Sequence, residues 1–253
     1  RWYSAAPMGD AGDLAGRVAL VTGASGGIGS AICRELAAAG ATLAAAYASN
    51  AGPAEDLVAE LGADGTRAAA FACDLASREG PARLVEAVEA ALGPVDVLIA
   101  NHGVGRRRDY ELLSAEEWDA TMAVNARAPF LLAQRVLEGM RARRFGRILF
   151  ISSTAAFRGG ALAPDYAASK AALHGLTFFL SSRTAADGVT VNALAPGYIE
   201  TAMLPGDPAE LAARVPVGRV GRPEEAARMA RAIVTNGYMT SHVVSLDGGM
   251  VPR

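Results

Sequence analysis

Tyr166 and Lys170 are the residues whose types and spacing most clearly predict chemistry. Four positions apart, they place a phenol and an ammonium on one face of a helix. A free tyrosine has a pKa of about 10, so proton transfer near neutral pH requires a lower pKa, which a nearby cation favours. Ser153 precedes Tyr166 by thirteen residues at the end of an apolar run, where its hydroxyl could reach the same carbonyl oxygen. The three side chains predict general acid catalysis on a carbonyl group.

Lys170 is also the only lysine in the chain, since all other members of the 24 basic residues are arginine. A sequence that uses arginine elsewhere but lysine here indicates a need for a compact ammonium whose pKa responds to burial. A solvated surface lysine without a role is the alternative interpretation.

A glycine-rich turn with the sequence Thr22-Gly23-Ala24-Ser25-Gly26-Gly27-Ile28-Gly29 follows the first apolar run and opens a helical stretch. Glycines let the backbone approach a pyrophosphate, and the free amides and dipole of a helix N-terminus favour its negative charge. An ordinary tight turn is the alternative, but a strand before the turn and a helix after it favour a dinucleotide site.

The end of the second apolar run, Ala46-Tyr47-Ala48-Ser49-Asn50, contains no carboxylate to bind the ribose hydroxyls of NAD. A 2′-phosphate would therefore not be repelled, and Ser25, Ser49 and Asn50 could donate hydrogen bonds to it. No arginine stands at these positions to pair with the phosphate. The sequence predicts NADP(H) as cofactor and leaves NAD possible.

Seven apolar runs with β character alternate with stretches of helical periodicity. Strands that alternate with helices predict an α/β fold with a parallel sheet covered on both faces. A (β/α)₈ barrel shows the same alternation, and the glycine-rich first turn favours a doubly wound sheet instead. The predicted strands are Arg17–Thr22, Ala41–Tyr47, Arg67–Ala72, Val95–Ala100, Arg147–Ser152, Val189–Leu194 and His242–Leu246.

Local signals mark the starts of two helices. Ser114 with Glu117 predicts a capping box, and Pro223 followed by two glutamates predicts a first helical turn. Leu204-Pro205-Gly206-Asp207-Pro208 predicts a mobile loop, the start of a lid at about 204–217.

The chain contains no internal repeat or low-complexity linker, which predicts one domain over residues 13–253. Arg1 to Pro7 precede Met8 and show no element-forming pattern, so we expect the natural start at Met8 and a disordered N-terminal extension over residues 1–12.

The composition excludes several classes of function. Hydrophobic residues make up 51% of the chain and charged residues 20%, which is typical of a globular protein. The net charge of −2 does not indicate the concentrated positive charge that binding to nucleic acid requires.

The basic runs Arg106–Arg108 and Arg141–Arg144 predict a solvated surface, with docking of an anionic partner as the alternative. Cys33 and Cys73 indicate neither a disulfide framework nor a metal site, which fits a reducing cytoplasm. No apolar run is long enough to cross a membrane.

Together these motifs make the chain resemble the short-chain dehydrogenase/reductases from about Arg17 to Met250. The resemblance implies a Rossmann-type doubly wound seven-stranded parallel sheet and a homotetramer. Its motifs are the glycine-rich turn, Asp74-Leu75, Asn101 and Gly103, Asn125, Ser153, Tyr166 to Lys170, and Pro196-Gly197.

The resemblance also implies roles. Tyr166 would donate the proton, Lys170 would bind the nicotinamide ribose and lower the tyrosine pKa, Ser153 would hold the carbonyl, and Asn125 would hold a water in the proton relay. Asp74 would reach the adenine. The implied cofactor site comprises Gly23, Ser25, Gly27, Ile28, Gly29, Ser49, Asn50, Asp74, Leu75, Asn101, Gly103, Tyr166, Lys170, Pro196, Gly197, Ile199 and Thr201.

One motif departs from the family pattern, because Ala100-Asn101-His102-Gly103 stands where the family usually has Asn-Asn-Ala-Gly. A lone histidine beside an intact set of catalytic residues is more often packed or hydrogen-bonded than reactive. We therefore assign no catalytic role to His102, and treat His174 and His242 likewise.

Within the family, Ala195 to Met203, Val215 to Arg219 and Asp247 to Met250 resemble segments of β-ketoacyl-acyl-carrier-protein reductases. The lid is a few residues shorter than the lid of those reductases. Asp187 occupies a position that is basic in some carrier-protein-linked members. The resemblance implies NADPH-dependent reduction of a 3-oxoacyl thioester, linked to CoA or an acyl carrier protein, in fatty acid or polyketide biosynthesis. The alternatives are an alcohol, sugar or steroid dehydrogenase and a non-catalytic dinucleotide-binding regulator.

Overall fold

Seven parallel strands form one sheet in the order β3-β2-β1-β4-β5-β6-β7. The computed structural model describes residues 13–251, so the extension expected at residues 1–12 lies outside the described residues. The strands are β1 Val18–Thr22, β2 Thr42–Tyr47, β3 Ala68–Ala72, β4 Val95–Ala100, β5 Gly146–Ile151, β6 Val189–Pro196 and β7 Val243–Leu246.

This strand order decides between the two candidate architectures. The sheet is open, with β3 and β7 at its edges, and the chain reverses its winding direction between β1 and β4. The doubly wound sheet is confirmed, and the barrel is excluded. Ligands of such sheets bind where the winding reverses, at the carboxyl ends of the strands.

Helices cover both faces of the sheet. One apolar layer lies under α1, α2 and α9 and the other under α3, α5 and α7, because alternate residues of each strand point to opposite faces. The helices are α1 Gly27–Ala38, α2 Gly52–Ala63, α3 Gly80–Leu92, α4 Ala115–Met122, α5 Ala128–Ala142, α6 Ala155–Arg158, α7 Pro164–Thr184, α8 Pro208–Ala212 and α9 Pro223–Thr235.

Both predicted helix starts are confirmed. Ser114 accepts a hydrogen bond from the Glu117 amide, and the Glu117 carboxylate accepts one from the Ser114 amide. Pro223 is the first residue of α9. The predicted lid is partly ordered into helix, because Asp207 caps the N-terminus of α8 within it.

The arginine runs lie on the surface, as predicted. Arg106 and Arg108 form ion pairs with Glu117, and Arg141 forms one with Asp187. Of the helices in residues 13–251, none combines the length and apolarity that crossing a bilayer requires.

Candidate active site

A cavity of about 720 Å³ opens at the carboxyl ends of the central strands, where the winding reverses. The structure brings most of the predicted site residues into its wall, although they come from segments far apart in sequence. Those residues are Gly23, Ser25, Gly27, Ile28, Gly29, Asn101, Gly103, Ser153, Tyr166, Lys170, Pro196, Gly197, Ile199 and Thr201.

One end of the cavity is the glycine cradle, Gly23 to Gly29. Gly23 has a φ of +64°, a left-handed conformation that favours glycine. A Cβ on Gly29 would overlap the carbonyl oxygen of Gly23 and lie 2.8 Å from Asn101 Nδ2. Asn101 Nδ2 donates hydrogen bonds to the carbonyls of Thr22 and Gly23, at 3.0 and 3.2 Å. The cradle therefore has a fixed backbone that lacks side chains where a ligand must approach.

The N-terminus of α1 belongs to this cradle. Its N-cap residue, Gly26, provides no side-chain hydrogen bond, and the first turn contains no acidic residue. The first amides of the helix and the positive end of its dipole are therefore left for a ligand.

The other end of the cavity is formed by the first two turns of α7, which carry Tyr166 and Lys170. Both side chains are buried, and Lys170 Nζ donates a hydrogen bond of 2.9 Å to the carbonyl of Ile151 at the end of β5. The ammonium lies 5.9 Å from the centroid of the Tyr166 ring. Burial lowers the pKa of Lys170 to about 8, because the charged form loses hydration.

The electrostatics of Tyr166 correct one expectation. Burial raises the pKa of the phenol, and a hydrogen bond with Ser153 lowers it only in part. We expected Lys170 to lower the tyrosine pKa. In the structure the desolvation of the phenolate outweighs nearby favourable interactions, so Tyr166 is a neutral phenol that still holds its proton near pH 7.

Asn125 lies outside the cavity wall in a π-helical turn, Ala123–Arg127, between α4 and α5. Its Oδ1 accepts a hydrogen bond from the Val104 amide, and its Nδ2 donates to the Val104 carbonyl and to Ser169 Oγ. The side chain is fully buried and ties the loop after β4 to α7. Its observed contacts hold the wall of the cavity in position.

His102 is buried and hydrogen-bonded, as predicted for a bystander. Its Nε2 lies 3.0 Å from the Val124 carbonyl, which can only accept, so Nε2 carries the proton. Nδ1 then accepts from the Thr22 hydroxyl at 2.7 Å. Burial and the charge of Lys170 lower the pKa of His102 to about 3, so the ring is neutral.

The histidines His174 and His242 also have hydrogen-bonding partners. His174 Nε2 lies 2.8 Å from Ser152 Oγ, and His242 Nδ1 lies 2.8 Å from the Thr240 carbonyl.

Four predicted cofactor residues do not line the cavity. Ser49 and Asn50 are exposed after β2, at the same edge of the sheet. The Asp74 carboxylate accepts a hydrogen bond from the Ala76 amide, and Leu75 packs against the apolar layer under α3. These residues follow the carboxyl ends of β2 and β3 and lie outside the cavity wall.

The sequence did not single out several residues that the structure places at the site. Arg158, Leu162 and Met250 line the cavity. Asp165, buried beside Tyr166, accepts a hydrogen bond of 2.5 Å from Thr121 on α4 and another from the Tyr166 amide. Only the position of Arg158 and Leu162 between Ser153 and Tyr166 could have indicated them.

The residues present fit a nicotinamide dinucleotide. The glycine cradle excludes side chains where a pyrophosphate would lie, the α1 amides offer donors to it, and the buried ammonium and phenol stand at the far end of the same cavity. Among residues 13–251, no group of three or more His, Cys, Asp or Glu side chains could hold a metal ion.

Comparison with known proteins agrees with this geometry. A family model described as short chain dehydrogenase matches residues 17–211. The acetoacetyl-CoA reductase of Shinella zoogloeoides is 39% identical over 240 residues, which cover 92% of this chain and 98% of that protein. The 3-oxoacyl-[acyl-carrier-protein] reductase FabG of Pseudomonas aeruginosa is 37% identical over 243 residues, covering 94% and 98%.

A solved structure is also similar. The blue fluorescent protein from a metagenomic library, crystallised in complex with NADPH, superimposes with a TM-score of 0.90 at 38% identity. The match covers 95% of this chain and all of that one.

Proposed function

Because this chain belongs to the short-chain dehydrogenase family, we propose that it reduces a 3-oxoacyl thioester to the 3-hydroxyacyl product with NADPH. The family consists of NAD(P)-dependent oxidoreductases, and the predicted enzyme class is therefore confirmed. The observation that carries the proposed reaction is the meeting of Ser153, Tyr166 and Lys170 at one end of a cavity whose other end is the glycine cradle.

The proton in this reaction comes from Tyr166. When bound, the nicotinamide supplies the hydride for the carbonyl carbon. Burial keeps the phenol neutral, so Tyr166 has a proton to donate to the carbonyl oxygen as negative charge develops there. Ser153, which lines the same cavity, donates to the same oxygen and orients it.

Lys170 binds the nicotinamide ribose, and its positive charge balances the negative charge that Tyr166 acquires when it gives up its proton. Its Nζ is anchored on the Ile151 carbonyl, and a Cβ on Gly103 would lie only 3.1 Å from it, so the glycine leaves room beside the ammonium. The remaining N–H donors serve the nicotinamide ribose and favour the phenolate that forms after proton transfer. Asn125 keeps the Val104 backbone in place. A relay water held beside it, which would return a proton to the site, is part of the proposal.

The preference for NADPH is supported by what the end of β2 lacks. No carboxylate stands between Ala44 and Asn50, and the side chains of Ser49 and Asn50 are exposed at the sheet edge where a 2′-phosphate would lie. NAD remains the alternative cofactor.

We also propose a cytoplasmic homotetramer that accepts substrates on CoA or an acyl carrier protein. Phe130, Phe178 and Phe179 are exposed on α5 and α7, and apolar surface of this kind is typical of subunit contacts. Cys33 and Cys73 are free, which fits a reducing compartment. Size-exclusion chromatography with light scattering tests the assembly, and a monomeric mass would refute it.

Rates of NADPH and NADH consumption test the reaction. We expect the highest kcat/KM for acetoacetyl thioesters, compared with cyclic ketones and sugars, and a preference for NADPH. A cyclic ketone or sugar preferred by about tenfold or more would assign the chain to the alternative substrate classes. Bound cofactor without turnover of any substrate would favour a dinucleotide-binding regulator.

A further inference from the structure

The cavity wall has positive charge with no acidic counterpart. Among the described residues that line it, none is Asp or Glu, and the cationic side chains are Lys170 and Arg158. His102 also lines the cavity, but its low pKa keeps it neutral. A negatively charged group entering the cavity is therefore attracted and meets no like charge.

The two cations are not equivalent. Lys170 is buried, bonded to the Ile151 carbonyl and adjacent to Tyr166, where it serves the reacting groups. Arg158 is an exposed guanidinium that also lines the cavity. An anionic part of the substrate that lies away from the reacting carbonyl therefore has Arg158 as its partner.

The chain holds Arg158 at the substrate side of the cavity. It is the last residue of α6, which begins two residues after Ser153. Gly159 and Gly160 follow with φ of +80° and +73°, and this left-handed pair ends the helix. Arg158 Nη1 donates a hydrogen bond of 2.7 Å to the carbonyl of Met250, which itself lines the cavity.

Several exposed arginines are paired with carboxylates, since Arg106 and Arg108 pair with Glu117 and Arg219 pairs with Glu225. Arg107 lacks such a pair and donates a hydrogen bond to the Pro205 carbonyl, but unlike Arg158 it does not line the cavity. Within residues 13–251, Arg158 has no ion pair.

The acidic residue closest to Met250 in the sequence is Asp247. Its carboxylate accepts hydrogen bonds from the amides of Gly249 and Val251. The guanidinium of Arg158 thus keeps most of its five N–H donors for a ligand.

We propose that Arg158 binds an anionic group of the substrate while the carbonyl is held at Tyr166. The inference rests on the proposed reductase function and narrows its substrates to 3-oxo compounds that carry a carboxylate or a phosphate. A planar guanidinium binds either group through two parallel hydrogen bonds. A free 3-oxoacid supplies the carboxylate, and CoA or a phosphopantetheine arm supplies the phosphate.

The test compares three substrates on two variants. The substrates are acetoacetate, acetoacetyl-CoA and the uncharged thioester acetoacetyl-N-acetylcysteamine. The variants are Arg158→Gln and the matched control Arg67→Gln, because Arg67 is also exposed and donates one hydrogen bond to a backbone carbonyl, that of Ala91, away from the cavity.

We expect Arg158→Gln to lower the ratio of kcat/KM for an anionic substrate to that for the uncharged thioester by about ten- to a hundredfold. Arg67→Gln should leave this ratio unchanged. A fall for acetoacetate identifies a carboxylate site, and a fall for acetoacetyl-CoA identifies a phosphate site. An unchanged ratio for both, including equal losses on all three substrates, overturns the inference.

The proposed reaction and the proposed anion site can be refuted independently of each other. If the wild-type protein reduces none of the three substrates, calorimetric titration of acetoacetate and of CoA into the NADP⁺-loaded protein decides the inference. Weaker binding to Arg158→Gln than to Arg67→Gln supports an anion site in a protein with another reaction. Equal binding to the two variants refutes the site.

Discussion

The two ends of the cavity are built by opposite means. The glycine cradle works through absent side chains, since a Cβ on Gly29 would overlap the Gly23 carbonyl oxygen. The α7 end works through present side chains, since Tyr166 and Lys170 are polar, buried and held by few hydrogen bonds. The first end is sensitive to added volume, and the second is sensitive to changes in protonation and charge.

The two ends of the cavity therefore differ in the kind of chemical group that they present. The cradle offers a ligand backbone groups whose charge does not change with pH. The α7 end uses groups whose protonation depends on their surroundings, because burial raises the pKa of Tyr166 and lowers that of Lys170. Substitutions at the α7 end should therefore lower mainly the rate of the reaction, whereas substitutions in the cradle should lower stability and cofactor binding.

The largest effect is expected from Tyr166→Phe at the α7 end. The ring stays and only the transferable proton is lost, so kcat should fall by about 10²- to 10⁴-fold while the dissociation constant for NADPH changes little. Single-turnover kinetics and a fluorescence titration with NADPH measure the two quantities. Near-normal turnover would contradict the assignment of Tyr166 as proton donor.

Gly29→Ala should damage the cradle through volume alone. The new methyl group displaces the Gly23 carbonyl, so we expect a loss of about 1–3 kcal/mol in the free energy of unfolding and weaker NADPH binding. Gly62→Ala is the control, because Gly62 lies in α2 with no atom near its added Cβ. Urea denaturation should show equal or greater stability for this control. Equal destabilisation by both changes would remove the steric argument.

Ala48→Asp adds the carboxylate that the end of β2 lacks. We expect the ratio of kcat/KM for NADPH to that for NADH to fall by about ten- to a hundredfold, through repulsion of the 2′-phosphate and a new hydrogen bond to the ribose. Ala48→Asn separates the two causes, because it keeps hydrogen bonding without the charge. A wild-type protein that already prefers NADH strongly would refute the proposed cofactor preference.

The smallest effect concerns stability against pH at the α7 end. The pKa of Lys170 is about 8 in the folded state, below the ordinary 10.5, so the unfolded chain binds more protons between these values. Stability contributed at this site should therefore rise with pH from about 8 to 10, by on the order of 1–2 kcal/mol. Above pH 10 the raised pKa of Tyr166 acts in the opposite direction, because the unfolded chain then loses its phenolic proton first.

Denaturation of the wild-type protein and of Lys170→Met across pH 7 to 10 measures this difference. The variant lacks the buried ammonium, so its stability should rise less with pH over the same range. Parallel curves for the two proteins would show that the ammonium is not desolvated as the structure indicates.

Much of the fold was predictable because its signals are local. Apolar runs located the strands, and the observed bounds differ from the predicted ones by at most two residues. The glycine-rich turn and the Tyr166 to Lys170 spacing could be recognised for the same reason, since each lies within a few residues of continuous chain.

Other features depended on how distant segments pack together and could not be predicted from local patterns. Periodicity alone left the barrel possible, and strand order excluded it. The sequence suggested a lowered pKa for Tyr166, whereas the surrounding protein raises it, because desolvation depends on everything packed around the phenol.

The amino-acid sequence by itself determined the α/β alternation, the glycine cradle and the residue types of the acid and its cation. Only the tertiary structure decided what these residues contact. His102 reaches Thr22 across 80 positions of chain, Asn125 holds Val104, and Arg158 enters the cavity wall beside Met250. Helix and strand patterns arise from interactions between near neighbours, whereas such contacts form only when distant segments pack together and exclude water.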